Sequence, residues 1–63
     1  MPIVMVKMAA GRTLEQKQQL VDGIVDAVTA ACGVAEHGVH VLIDEYSPTG
    51  WADGKKFLAD QHD

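Results

Sequence analysis

The sequence predicts an α+β fold: a single β-α-β unit with parallel strands and a C-terminal hairpin or arm, completed by oligomerisation. Three observations carry that expectation. Two short apolar runs of strand character bracket one long amphipathic helical pattern. The thirty residues between the runs suit a right-handed parallel crossover. Finally, sixty-three residues with a single cysteine, and so no intrachain disulfide, sit near the lower limit for a self-sufficient core. Residues 1–63 read as one domain.

The first strand is Ile3–Met8, "IVMVKM", in which only Met is a poor β-former. Gly11, in "AAGR", stands at its exit. The helix follows in "TLEQKQQLVDGIVDAVTAACG". Thr13 and Gln16 have the spacing of a capping box, which satisfies orphan N–H groups at a helix start. Glu15 suits the positive end of the macrodipole, and Gly33 stands where a C′ glycine ends a helix. Leu20, Ile24, Ala27, Val28 and Ala31 form one stripe, flanked by Val21, Val25 and Cys32, with Asp22, Asp26 and Thr29 opposite. The stripe is about 160° wide, broader than one sheet contact needs. Cys32 on such a face reads as a small buried hydrophobe rather than a nucleophile. Gly23 falls on the polar side, where it costs about 1 kcal/mol relative to Ala.

A loop, "GVAEHG", leads to the second strand, Val39–Tyr46, "VHVLIDEY". Val39, Val41 and Ile43 face one way, Leu42 and Tyr46 the other. In the first strand Val4, Val6 and Met8 oppose Ile3 and Met5. A sheet apolar on both faces must be covered on both, and one helix covers only one. The tail carries two turn signals, Pro-Thr-Gly and Ala-Asp-Gly, on either side of Trp51, which fits a short hairpin or an arm reaching a partner. Asp53 reads as a turn residue, and His62 as a solvated side chain.

Composition narrows the function. The net charge is −4, with five Lys and Arg spread thinly, so the basic stripe of a nucleic-acid binder is missing. No apolar stretch approaches a membrane span, and the N-terminus has no basic signal region, so the expected location is the cytoplasm. His37 and His40, three apart across a loop and a strand start, make a poor metal pair. No metal site is expected.

Pro2 has two readings. As a strand's first residue, its missing N–H costs the ladder little. Alternatively, once Met1 is removed, Pro2 carries a free secondary amine, a base fixed directly to the backbone.

The order "MPIV", "GRTLEQK", a long amphipathic helix, "VHVLIDEY" and a tail with Gly-Trp resembles the 4-oxalocrotonate tautomerase family across essentially the whole chain. That resemblance implies short β-α-β subunits assembled as a homohexamer or heterohexamer. It implies a processed N-terminal proline as general base and no metal or organic cofactor. The substrates implied are enols and dienols of 2-oxo acids. Carried over, Pro2 matches the catalytic proline, and Arg12 matches an arginine that holds a substrate carboxylate. Trp51 falls where an aromatic residue lines an apolar pocket. His40 departs from the pattern, because the best-known members place a second arginine there. A hydrogen bond from His40 to the developing oxyanion would replace that arginine's fork.

Moving a proton from an enol oxygen to carbon needs one group that serves as base and then acid, with a pKa near ambient pH. An apolar wall and a nearby cation both lower an amine's pKa. The apolar start of the first strand, Trp51 and Arg12 are the candidates. Pro2 and Arg12, however, bracket the first strand and stand about 20 Å apart along it. A neighbouring subunit packed head to tail would deliver its Arg12 to this chain's Pro2. Two other readings stand beside the tautomerase: a dehalogenase or hydratase relative acting on unsaturated acids, and a non-catalytic subunit of an oligomer.

Overall fold

The computed structural model describes residues 1–61. His62 lies outside the described residues. Strand β1 covers Ile3–Ala9, helix α1 covers Leu14–Cys32 and strand β2 covers His40–Tyr46. A small hairpin, β3 (Ala52–Asp53) and β4 (Lys56–Phe57), follows.

β1 and β2 pair in parallel, with Ile3 opposite His40 at one end and Ala9 opposite Tyr46 at the other. Val4, Val6, Met8, Val41 and Ile43 are half-buried on one side of this ladder, as are Leu20, Val21, Ile24, Val25 and Val28 on α1. Lys17 of α1 pairs with Glu45 of β2 at 3.1 Å, a partly exposed contact that adds little to stability. Among the described residues the opposite face of the sheet is covered at its Tyr46 end, where Trp51 packs, and is open elsewhere. Ile3 is 61% exposed, Met5 69% and Leu42 52%. Among the described residues no side chain is fully buried.

α1 starts and stops by the chemistry its sequence encodes. The Thr13 hydroxyl accepts the Gln16 N–H at 3.1 Å, and the Gln16 side-chain oxygen accepts the Thr13 N–H at 2.9 Å. Gly33 closes the helix at φ 67°, donating its N–H to the Thr29 carbonyl at 2.9 Å. A non-glycine residue is disfavoured in that left-handed region.

Three details depart from expectation. Ala27, Ala31 and Cys32 are exposed, so Cys32 is not a buried hydrophobe within one chain. Two strands, about 4.8 Å apart, make too narrow a sheet to cover the whole apolar stripe. β2 begins at His40 rather than Val39, because the 3-10 turn Glu36–Gly38 takes the Val39 N–H for the Glu36 carbonyl at 3.0 Å. Asp53 lies in β3 opposite Lys56, and the two-residue loop between them is Gly54-Lys55. Gly54 there has φ 63° and Lys55 a negative φ, as a type II′ turn requires.

The expected second turn also forms, with the Gly50 N–H donating to the Ser47 carbonyl at 2.8 Å. No helix among the described residues is long and apolar enough to cross a membrane.

Candidate active site

Parallel pairing puts the starts of both strands together. The His40 N–H donates to the Pro2 carbonyl at 3.0 Å, just before the ladder begins. Pro2 is half-buried and His40 exposed. The bond fixes the pyrrolidine ring relative to β2 while leaving its nitrogen outside the ladder. Met1, which precedes it, is 85% exposed.

Arg12 lies past the other end of β1. Gly11, at φ 120°, turns the chain there, and the Ala10 N–H donates to the Tyr46 carbonyl at 2.8 Å. Arg12 is exposed, and its guanidinium donates to the Ala9 carbonyl at 3.5 Å. Among the described residues the ion pairs are Lys7–Asp44 and Lys17–Glu45, and neither involves Arg12. A cation at the N-terminus of a helix opposes the macrodipole, so nothing local explains this placement.

Trp51 belongs to the same end. Its ring meets Tyr46, the last residue of β2, edge to face with centroids 5.8 Å apart and planes at 83°. The indole is 36% exposed. Its carbonyl accepts the Leu58 N–H at 2.9 Å, which ties the hairpin back under it.

The four residues thus fall into two pairs, Pro2 with His40 and Arg12 with Trp51. Seven residues of β1 at about 3.3 Å each separate them by roughly 23 Å. No small carboxylic acid spans that distance within one chain. Two open surface grooves lie elsewhere on the chain. One is lined by Asp22, Val25, Asp26, Glu36 and His37, the other by Leu14, Lys17, Gln18, Val21, Ile43 and Glu45. Neither includes any of the four.

One cluster at the Arg12 end was missed in the sequence. Lys7 Nζ donates to the Tyr46 hydroxyl at 3.0 Å and to Asp44 Oδ2 at 3.3 Å. It also stands 5.5 Å from the centre of the Tyr46 ring. The hydrogen bond to Tyr46, followed by that to Asp44, raises the Lys7 pKa above its ordinary value. Matching parity on the two strands was the available signal, since Lys7 shares a face with Ile3 and Met5, and Tyr46 with Leu42.

The chain matches the family described as "Tautomerase enzyme" over residues 2–61. It is 42% identical over 60 residues to the 2-hydroxymuconate tautomerase of Bacillus subtilis, covering 95% of this chain and 97% of that protein. Its fold is similar to that of a heterohexamer 4-oxalocrotonate tautomerase from Chloroflexus aurantiacus. There the TM-score is 0.89 with 32% identity, over 98% of this chain and 100% of that one. It is also similar to a protein analysed for trans-3-chloroacrylic acid dehalogenase activity, with a TM-score of 0.81 and 30% identity over 90% of this chain and 98% of that one. A family match over nearly every residue, a relative of matching length and a shared β-α-β fold have one consequence: this chain belongs to the tautomerase family and is an isomerase.

Proposed function

We propose that the chain is a cofactor-independent keto–enol tautomerase acting on 2-hydroxydienoate or enol-pyruvate acids, with Pro2 as general base after Met1 removal. The neutral Pro2 amine takes the proton of the 2-hydroxyl group. The O–H bond breaks, the oxygen becomes a carbonyl, and the electron pair moves through the double bond or bonds to a carbon. The Pro2 ammonium then gives the proton to that carbon, so the amine is regenerated and nothing is oxidised or reduced. Arg12 from a neighbouring subunit binds the substrate carboxylate, and His40 donates a hydrogen bond to the developing oxyanion. Trp51, arriving with Arg12, supplies an apolar wall that lowers the amine pKa by desolvation.

The observation that carries this reading is the division of the four residues between opposite ends of β1. Arg12, at the same end of the sheet as Trp51 and outside the ion pairs of the described residues, and a half-buried Pro2 tied to His40 complement each other only across a subunit boundary. The open part of that sheet face supports the association, because burying side chains such as Ile3, Met5 or Leu42 contributes about 1.5–3 kcal/mol each. A homohexamer is the assembly we infer. A heterohexamer with a second kind of chain has a parallel in the Chloroflexus relative.

The test couples the N-terminal mass of the purified protein to its turnover of an enol pyruvate. Protein lacking Met1 is expected to convert it, and the same protein acylated at Pro2 is expected to be inert. Fully processed, assembled protein that leaves every enolisable acid unchanged refutes the reading. A second reading, dehalogenation of an unsaturated acid, is favoured by the likeness to the dehalogenase-active protein. It requires a carboxylate to activate water, and halide release from a haloacrylate would replace enol turnover.

A further inference from the structure

We infer that Tyr46 is a positioning residue that sets the plane of Trp51 and thereby the enzyme's preference for acids with a flat apolar tail. The role of Trp51 as a pocket wall rests on the proposed function; its placement by Tyr46 rests on geometry alone.

Tyr46 joins three parts of the chain. Its carbonyl accepts the Ala10 N–H at 2.8 Å, which locks the end of β2 to the segment leading into Arg12. Its hydroxyl accepts from Lys7 Nζ at 3.0 Å, and Asp44 holds that same ammonium at 3.3 Å. The edge-to-face contact at 5.8 Å then sets the indole of Trp51 at 83° to the Tyr46 ring. A chain of contacts therefore runs from Asp44 through Lys7 and Tyr46 to Trp51, with every member but Trp51 on regular strand. Trp51 itself sits between the Ser47–Gly50 turn and β3, where backbone bonds fix its carbonyl but leave the side chain free to turn. Against the T-shaped arrangement that aromatic quadrupoles prefer, one rotamer is selected. Without the Tyr46 ring, the indole would swing away from the Arg12 end.

Trp51 is the chain's single tryptophan, so its fluorescence reports on this contact without ambiguity. The experiment compares wild type with Tyr46→Leu, Tyr46→Phe and Lys7→Met, each confirmed to assemble to the same size. Acrylamide quenching of Trp51 is read beside kcat and KM for an aryl enol pyruvate and a methyl enol pyruvate. Tyr46→Leu is expected to increase quenching and to raise KM for the aryl substrate about three- to tenfold, the span an aromatic pair contributes. The methyl substrate's KM stays within about twofold, while the acidic limb of kcat moves to higher pH for both substrates alike, because a displaced indole lets water reach the Pro2 amine. Tyr46→Phe keeps the ring and restores most of the aryl KM. Lys7→Met leaves the ring untethered and gives an intermediate quenching increase, which decides the matter if Tyr46→Leu fails to assemble.

Unchanged quenching in Tyr46→Leu, or in Lys7→Met where that variant decides, overturns the positioning role. Increased quenching with an unaltered aryl KM overturns the effect on preference. If wild-type protein turns over neither substrate, the proposed function fails, and quenching alone then decides whether Tyr46 places the indole.

Discussion

The Pro2 carbonyl and the His40 N–H meet at 3.0 Å, a bond that closes the parallel ladder at its starting end. Arg12 and Trp51 sit beyond the finishing end, past Ala9 and Tyr46. With the strand between them, the two proposed half-sites lie at opposite ends of each chain.

Subunit mixing tests this division directly. Protein acylated at Pro2 and an Arg12→Ala variant should each be inactive as purified. Refolded together in equal amounts, they should recover about a quarter of wild-type activity, since each shared site draws one residue from each of two subunits at random. No recovery on mixing would place both residues in one chain's site.

His40 offers a change of specificity. Replacing it with arginine adds a planar fork able to grip a carboxylate through two parallel bonds. His40→Arg should raise kcat/KM for a dicarboxylate dienol about 10- to 100-fold over a monocarboxylate, the worth of one charge-assisted pair. Parallel assays of the two substrates on both proteins give the ratio.

Lys7 should show in the alkaline limb of stability. Its pKa in the folded chain is raised above 10.5, first by Tyr46 and then by Asp44. A raised cationic pKa stabilises below the unfolded value and loses that contribution as pH climbs through the folded one. The Tm difference between wild type and Lys7→Met should therefore be constant through neutral pH and shrink only above 10.5. Melting curves at matched subunit concentration check the sign. Because the pair is well exposed, the difference at neutral pH should be small.

α1 gives a pair of opposed outcomes. Thr13→Ala removes a capping-box acceptor and should destabilise by about 1 kcal/mol. Gly23→Ala should stabilise by a similar amount, about 1 kcal/mol, because a methyl group there meets no atom within 4 Å. Denaturant titrations of both variants against wild type measure the two shifts.

Much of this was legible in the residues themselves. Thr13, Gln16 and Gly33 mark both ends of α1, because caps are local chemistry acting over three or four residues. The alternation of Val4, Val6 and Met8 with Ile3 and Met5 divided β1 into two apolar faces, of which one helix could cover only one, but not which of the two meets it. The separation of Pro2 from Arg12 followed from strand length alone. Less local features were not legible. The contact of Lys7 with Tyr46 depends on strand register across thirty-nine positions, and that of Tyr46 with Trp51 on how one turn folds back. The exposure of Ala27, Ala31 and Cys32 was hidden for a related reason. An apolar stripe records that a helix wants covering, but the width of the cover is a property of the whole sheet.

The main sheet has two strands, so each strand is a rim and neither is flanked on both sides. Rims carry N–H and C=O groups that invite pairing with any extended chain nearby. A single copy released from the proposed oligomer would therefore expose both rims to proteases and to other extended chains.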